Sequence, residues 1–65
     1  MINKDIKIPL YIQIYNDLKE KILNNQYSNE EFLPSERELS ELYGVERATT
    51  RRALELLVKD KLLQK

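Results

Sequence analysis

The chain holds a single glycine, Gly44, and it falls between two stretches with the periodicity of helices. Glycine adopts positive φ at no steric cost, so one helix can end there and the next can begin at a sharp angle. On the near side, Pro34 biases Leu33 away from helical geometry. Ser35 is a preferred N-cap, and Glu38 sits where a capping box needs a side chain that reaches back. These residues predict a helix that starts at Glu36, with Leu39, Leu42 and Tyr43 as its buried stripe and Ser40 small enough for a neighbouring helix to pass close by.

Beyond the glycine, Val45 can tuck inward and a second helix is predicted from Glu46 or Arg47 to about Lys59. Advancing roughly 100° per residue puts Thr50, Ala53, Leu54 and Leu57 on one face and Ala48, Arg51, Arg52 and Glu55 on the other, with Arg47 and Thr49 flanking them on the first turn. An outward face of small and cationic side chains suits a helix lying in a major groove: the small residues permit close approach, and arginines fork onto guanine edges or grip phosphates. Helix, glycine turn and a helix that is basic in its outward N-terminal half make a helix-turn-helix, spanning about 36–55.

Upstream, Pro9 suits the first turn of a further helix whose apolar face carries Tyr11, Ile14, Tyr15, Leu18 and Ile22, and Asn24 and Asn25 are its terminators. Three helices are the least that can enclose Leu39, Leu42, Leu54 and Leu57, so this one is expected to brace the other two from behind. Its polar face mixes both signs, unlike a membrane-surface helix. Between Gln26 and Leu33 lies a connection that exposes Asn29, Glu30 and Glu31 and lets Tyr27, Phe32 and Leu33 cover the helix junction. Tyr27 is read as packing rather than as a stacking platform for a base. Residues 1–8 are read as a flexible arm, a frayed terminus in preference to a base-contacting arm, and 9–65 as the folded domain.

Sixty-five residues hold one small domain, so an effector-binding domain is expected to lie outside this stretch. Eleven Lys and Arg balance eleven Asp and Glu, which by itself argues against a nucleic-acid binder; the distribution argues for one. Glu30, Glu31, Glu36, Glu38, Glu41 and Glu46 precede Arg47, Arg51, Arg52, Lys59, Lys61 and Lys65. There is no cysteine and no histidine, hence no disulfide framework, thiolate chemistry or ordinary zinc site, and no cofactor is expected. The carboxylates sit on solvated faces, and nothing suggests an enzyme. With no membrane-length apolar run and no signal-peptide core, a cytoplasmic protein is expected.

Pro34-Ser35-Glu36-Arg37-Glu38-Leu39, Gly44-Val45, Arg47-x-Thr49-x-Arg51-x-Ala53-Leu54 and Leu62-Leu63 together resemble the N-terminal winged-helix domain of GntR-type bacterial transcription regulators. Pro9-Leu10-Tyr11-Ile12-Gln13-Ile14 is similar to the opening helix of its HutC-like and YtrA-like branches. The resemblance implies an all-α three-helix core that binds double-stranded DNA sequence-specifically, as a dimer on a palindromic operator, with a small-molecule effector bound by a domain beyond this stretch. It places Arg47 and Arg51 at recognition positions, Thr49 at a phosphate-facing position and Arg37 at a DNA-contacting one. Arg37 can alternatively pair with Glu41, and Arg51 with Glu55, as ordinary surface pairs. Arg52 is read as a phosphate neighbour or a solvated side chain. The candidate set is thus Arg37, Arg47, Ala48, Thr49, Arg51 and Arg52, with Ser35 and Gly44 shaping the cap and turn.

Four departures from the family pattern stand out. Glu46 replaces the usual hydroxyl cap of the recognition helix; its carboxylate suits the helix dipole but would repel phosphates unless a cytosine amino group or Arg47 engages it. Thr50 replaces an aliphatic residue, so its hydroxyl needs a backbone carbonyl or costs on the order of 1 to 3 kcal/mol. Lys61 stands where glycine usually ends the helix, at roughly 1 to 2 kcal/mol if left-handed. Leu62 and Leu63 should begin a wing of which this chain carries the first strand alone. The reading from another class is a small helical module that binds a protein partner and uses its arginines for solubility.

Overall fold

The computed structural model describes residues 2–27 and 33–63. Three helices follow in chain order: α1 over Leu10–Leu23, α2 over Glu36–Tyr43 and α3 over Arg47–Lys59. Pro9, extended at φ −55° and ψ 144°, opens α1, and its carbonyl accepts the N–H groups of Ile12 and Gln13. The predicted capping box opens α2: Ser35 Oγ accepts from Glu38 N–H at 3.1 Å and Glu38 Oε1 accepts from Ser35 N–H at 3.1 Å. α3 opens at Glu46 with no side-chain cap. Of its first-turn N–H groups, that of Thr49 donates to the Glu46 carbonyl at 3.1 Å, and no side-chain cap competes for those of Arg47 and Ala48.

All three helices close in the same way. A residue in the left-handed region follows each, Asn25 at φ 62°, Gly44 at φ 67° and Lys61 at φ 63°. The next N–H reaches back five residues: Gln26 to the Lys21 carbonyl at 2.9 Å, Val45 to Ser40 at 3.1 Å, and Leu62 to Leu57 at 2.9 Å. This closure satisfies carbonyls that a helix end leaves orphaned. The turn at Lys61 thus keeps the geometry that a glycine would give it. Leu62 and Leu63 do not start a wing strand: both N–H groups are spent on the Leu57 carbonyl, and both side chains pack on the core. No strand occurs among the described residues.

The core is drawn from all three helices: Ile14 and Leu18 of α1, Leu39 and Tyr43 of α2, and Ala53 and Leu57 of α3. Ile14, Leu18, Leu39 and Leu57 are fully sealed from water, each contributing roughly 1.5 to 3 kcal/mol through burial. α3 packs against both other helices, and Tyr11, Tyr15, Ile22, Tyr27, Leu33 and Leu54 close the rim. Leu42 departs from the expected stripe and is 54% exposed. Taking Leu39 as zero, Tyr43 lies at roughly 40°, Glu36 at about 60° and Ser40 at about 100°, whereas Leu42 falls at about −60°. The inward arc of α2 is centred between Tyr43 and Ser40, and Leu42 lies outside it.

Thr50 is sealed and satisfied, though not by a backbone carbonyl. Its Oγ1 and the Ser40 Oγ are hydrogen-bonded at 3.0 Å, and Ser40 Oγ also donates to the Glu36 carbonyl at 2.8 Å. Ser40 has one proton and a carbonyl only accepts, so the Thr50 hydroxyl is the donor to Ser40. Longer-range polar links join the helices: the Tyr43 hydroxyl donates to Asp17 at 2.6 Å, and that of Tyr15 donates to Asp60. Asn29, Glu30, Glu31 and Phe32 of the connection, and Lys65 of the expected basic end, lie outside the described residues.

Candidate nucleic-acid interface

The left-handed turn at Gly44 swings α3 across α2, burying Thr50, Ala53 and Leu57. Its opposite face is solvent-facing: Arg47, Ala48, Arg51, Arg52 and Glu55 are all exposed, and Thr49 at the edge is half-buried. The two arginines at the recognition positions are neither folded under the protein nor free. Arg51 donates through Nε to Glu36 Oε2 and through Nη2 to Glu36 Oε1, each at 3.0 Å. Arg47 Nε donates to the same Oε1 at 3.1 Å. Their side chains remain 60% and 58% exposed for Arg47 and Arg51, while Glu36 is 22% exposed beneath them. The Arg51 hydrogen bond first, and Arg47 after it, hold the Glu36 carboxyl below the usual glutamate range, and Glu36 raises Arg51 in return.

A forked guanidinium has five N–H donors. Glu36 takes the Nε side of Arg47 and the Nε–Nη2 edge of Arg51, which leaves outward-facing donors on both. Motif reasoning alone does not single out Glu36, yet its position carries the signal: it precedes Ser40 by four residues, one turn back on the arc that faces α3. The acidic stretch before the turn and the basic stretch after it are thus not separate ends of the molecule. They meet at this carboxylate. Glu55, the alternative partner of Arg51, makes only a minor electrostatic contribution to it.

The remaining candidates occupy different surroundings. Arg37 lies 3.6 Å from Glu41 in an exposed pair one turn apart, with both side chains more than two-thirds exposed, a geometry that water screens and that another partner displaces cheaply. Arg52 stacks on Tyr11, its guanidinium carbon 3.9 Å from the ring centre, which ties the outer face of α3 to α1. Ala48, Thr49 and Arg52 share a shallow groove with Leu10 and Tyr11. Ser35 and Gly44 occupy the cap and turn positions expected of them. Glu46 makes no capping hydrogen bond and stands at the mouth of a second groove, beside Arg37, Arg47 and Thr49.

This arrangement has a counterpart among known proteins. Residues 10–65 match the family described as bacterial regulatory proteins, gntR family. The chain belongs to the gntR family. Among its relatives are the HTH-type transcriptional repressor NagR of Bacillus subtilis (strain 168), 47% identical over 95% of this chain and 26% of that protein, and the HTH-type transcriptional regulator TreR of the same organism, 40% identical over 92% and 25%. The fatty acid metabolism regulator protein of Enterobacter sp. (strain 638) is 51% identical over 63% of this chain and 17% of that protein. No solved structure matches the chain. The chain spans about a quarter of the length of NagR and TreR, and it carries the helix-turn-helix domain with which bacterial transcription regulators of this family bind DNA sequence-specifically. No described helix is long and apolar enough to cross a membrane.

Proposed function

We propose that α3 enters the major groove of an operator half-site and that Arg47 and Arg51 read base edges from its first two turns. The observation that carries this is the shared Glu36 carboxylate, which holds both guanidinium groups at the solvent face of α3 with donors pointing away from the protein. Contacts to phosphate set register, and contacts to bases set sequence preference. Thr49 and the uncapped N–H groups of α3 serve the first purpose. Arg37 joins them by exchanging Glu41 for a phosphate, and Ala48 lets the helix sit close to the bases. Arg52, held on Tyr11, meets the flanking backbone.

The assembled regulator would act in the cytoplasm as a homodimer on a palindromic operator, one copy of this domain on each half-site. Repression is the favoured output, since the relative NagR carries that name. Control by a small-molecule effector would fall to residues outside this chain, and no catalytic role is assigned to the domain. Titrating a random-sequence duplex library at two salt concentrations tests the reading. An enriched sequence should emerge, binding should weaken steeply with salt, and Arg47→Ala or Arg51→Ala should lower discrimination by about 1 to 3 kcal/mol. Indifference to salt and to both substitutions would favour a protein-binding module instead.

A further inference from the structure

The segment before α1 is built into the domain. Asn3 N–H donates to Gln13 Oε1, Gln13 Nε2 donates to the carbonyls of Asn3 at 2.9 Å and Ile8 at 2.8 Å, and Asp5 N–H donates to Asn3 Oδ1 at 2.9 Å. One side-chain amide of α1 thereby gathers both ends of the loop. The product of this folding is the placement of Lys4, whose Nζ donates to the Gly44 carbonyl at 2.7 Å across forty residues of sequence. Lys4 then lines the same groove as Arg37, Arg47 and Thr49.

We infer that Lys4 is a further DNA-contacting residue, a phosphate clamp placed by Gln13 at the turn of the helix-turn-helix. The charge around the groove is the argument. Besides Lys4, its charged side chains are Arg37, Arg47, Glu41 and Glu46, two of each sign. Without Lys4 the groove is neutral, and Glu46 opposes any phosphate that approaches the start of α3; with Lys4 it carries a net positive charge. An ammonium has three donors and the Gly44 carbonyl takes one, so two remain for phosphate oxygens. The lysine reaches this place without the entropy cost of ordering a free terminus, because the loop is already fixed.

This rests on the reading that the face bearing Arg47 meets DNA, and the test separates the two. The probes are the duplex enriched from a random library by the unaltered chain and a shuffled duplex of the same composition. Lys4→Ala should weaken binding to both by a similar factor, about three- to tenfold near 0.1 M salt, and make the slope of log affinity against log salt shallower by about 0.9. Lys4→Arg should restore both. Gln13→Ala, which frees the loop and keeps the charge, should weaken binding to both duplexes in the same direction. A lower melting midpoint with unchanged affinity and slope would make Lys4 only a cap on α2 and overturn the inference; so would a loss confined to the enriched duplex. If Lys4→Ala is silent while Arg47→Ala still abolishes discrimination, the clamp alone fails. If no duplex binds, both readings fail.

Discussion

Glu36 on α2 and Arg51 on α3 form a two-pronged ion pair across the turn, and Glu36 Oε1 serves Arg47 as well. One negative charge is therefore placed among the cations of the proposed DNA-binding face. It lowers the net charge of that face and fixes the direction in which two flexible side chains point. Charge governs non-specific affinity, whereas direction governs discrimination. Glu36→Gln keeps the shape and removes the charge. Binding to a shuffled duplex should tighten several-fold, and the ratio between enriched and shuffled duplex should fall by about tenfold. Competition titrations at fixed salt measure both. Unchanged discrimination would show that Glu36 only balances charge.

Much of the helical frame is legible from local rules, because each acts within a turn or two: the capping box of Ser35 and Glu38, the stop at Gly44, and the split of α3 into a sealed and an exposed face. The misses share a different origin. Spacing alone puts Leu42 inward, but a two-turn helix shows too few residues to fix the centre of its buried arc. The Tyr43–Asp17 and Tyr15–Asp60 links, the reach of Lys4 to Gly44 and the Glu36 bridge all join residues distant in sequence, where periodicity is silent. The arginines of the candidate interface were visible as cations on one face; what holds them there was not.

Gly44 and Lys61 take nearly the same positive φ, 67° and 63°, with opposite chemical suitability. A Cβ on Gly44 would meet only Lys4 Nζ, at 3.5 Å, so the cost of Gly44→Ala is conformational rather than steric, about 1 to 2 kcal/mol. Lys61→Gly relieves a comparable strain, partly offset by the greater freedom of glycine in the unfolded chain. It should stabilise by up to about 1 kcal/mol. Urea unfolding of the two variants should move the midpoint in opposite directions.

Tyr43 and Asp17 link α2 to α1 by a hydrogen bond that has a pH signature. Burial, then the Asp17 contact, pushes the Tyr43 phenol well above its ordinary value. Burial also pushes Asp17 up, but the hydrogen bonds from Tyr43 and Lys21 outweigh it and the net shift is downward. For a group raised in the folded state, the stabilising contribution is complete below the unfolded pKa, about 10 for tyrosine, and is lost as pH rises beyond it. For the depressed Asp17 it is complete above about pH 3.9 and is lost as pH falls below. Tyr43→Phe should cost about 1 to 2 kcal/mol near neutrality and flatten the alkaline decline. The decline should not vanish, because Tyr15, raised by its bond to Asp60, remains. Denaturation midpoints across the alkaline range test this; a decline as steep as in the parent would place its origin elsewhere.

Ser40 and Thr50 form a buried polar pair in the seam between α2 and α3, and their roles are unequal. Ser40 gives its proton to the Glu36 carbonyl and accepts from Thr50. Thr50→Val therefore leaves every remaining group satisfied and replaces a hydroxyl by a methyl of similar size, at a cost below about 1 kcal/mol. Ser40→Ala strands the sealed Thr50 hydroxyl and should cost about 1 to 3 kcal/mol. Replacing both removes donor and acceptor together, so the double variant should be more stable than Ser40→Ala alone, although it carries one more substitution. A double-mutant cycle of unfolding free energies measures this coupling. Simple additivity would mean that Thr50 finds another acceptor when Ser40 is lost. In that case the seam between the two helices tolerates a hydroxyl through local adjustment rather than through this specific pairing.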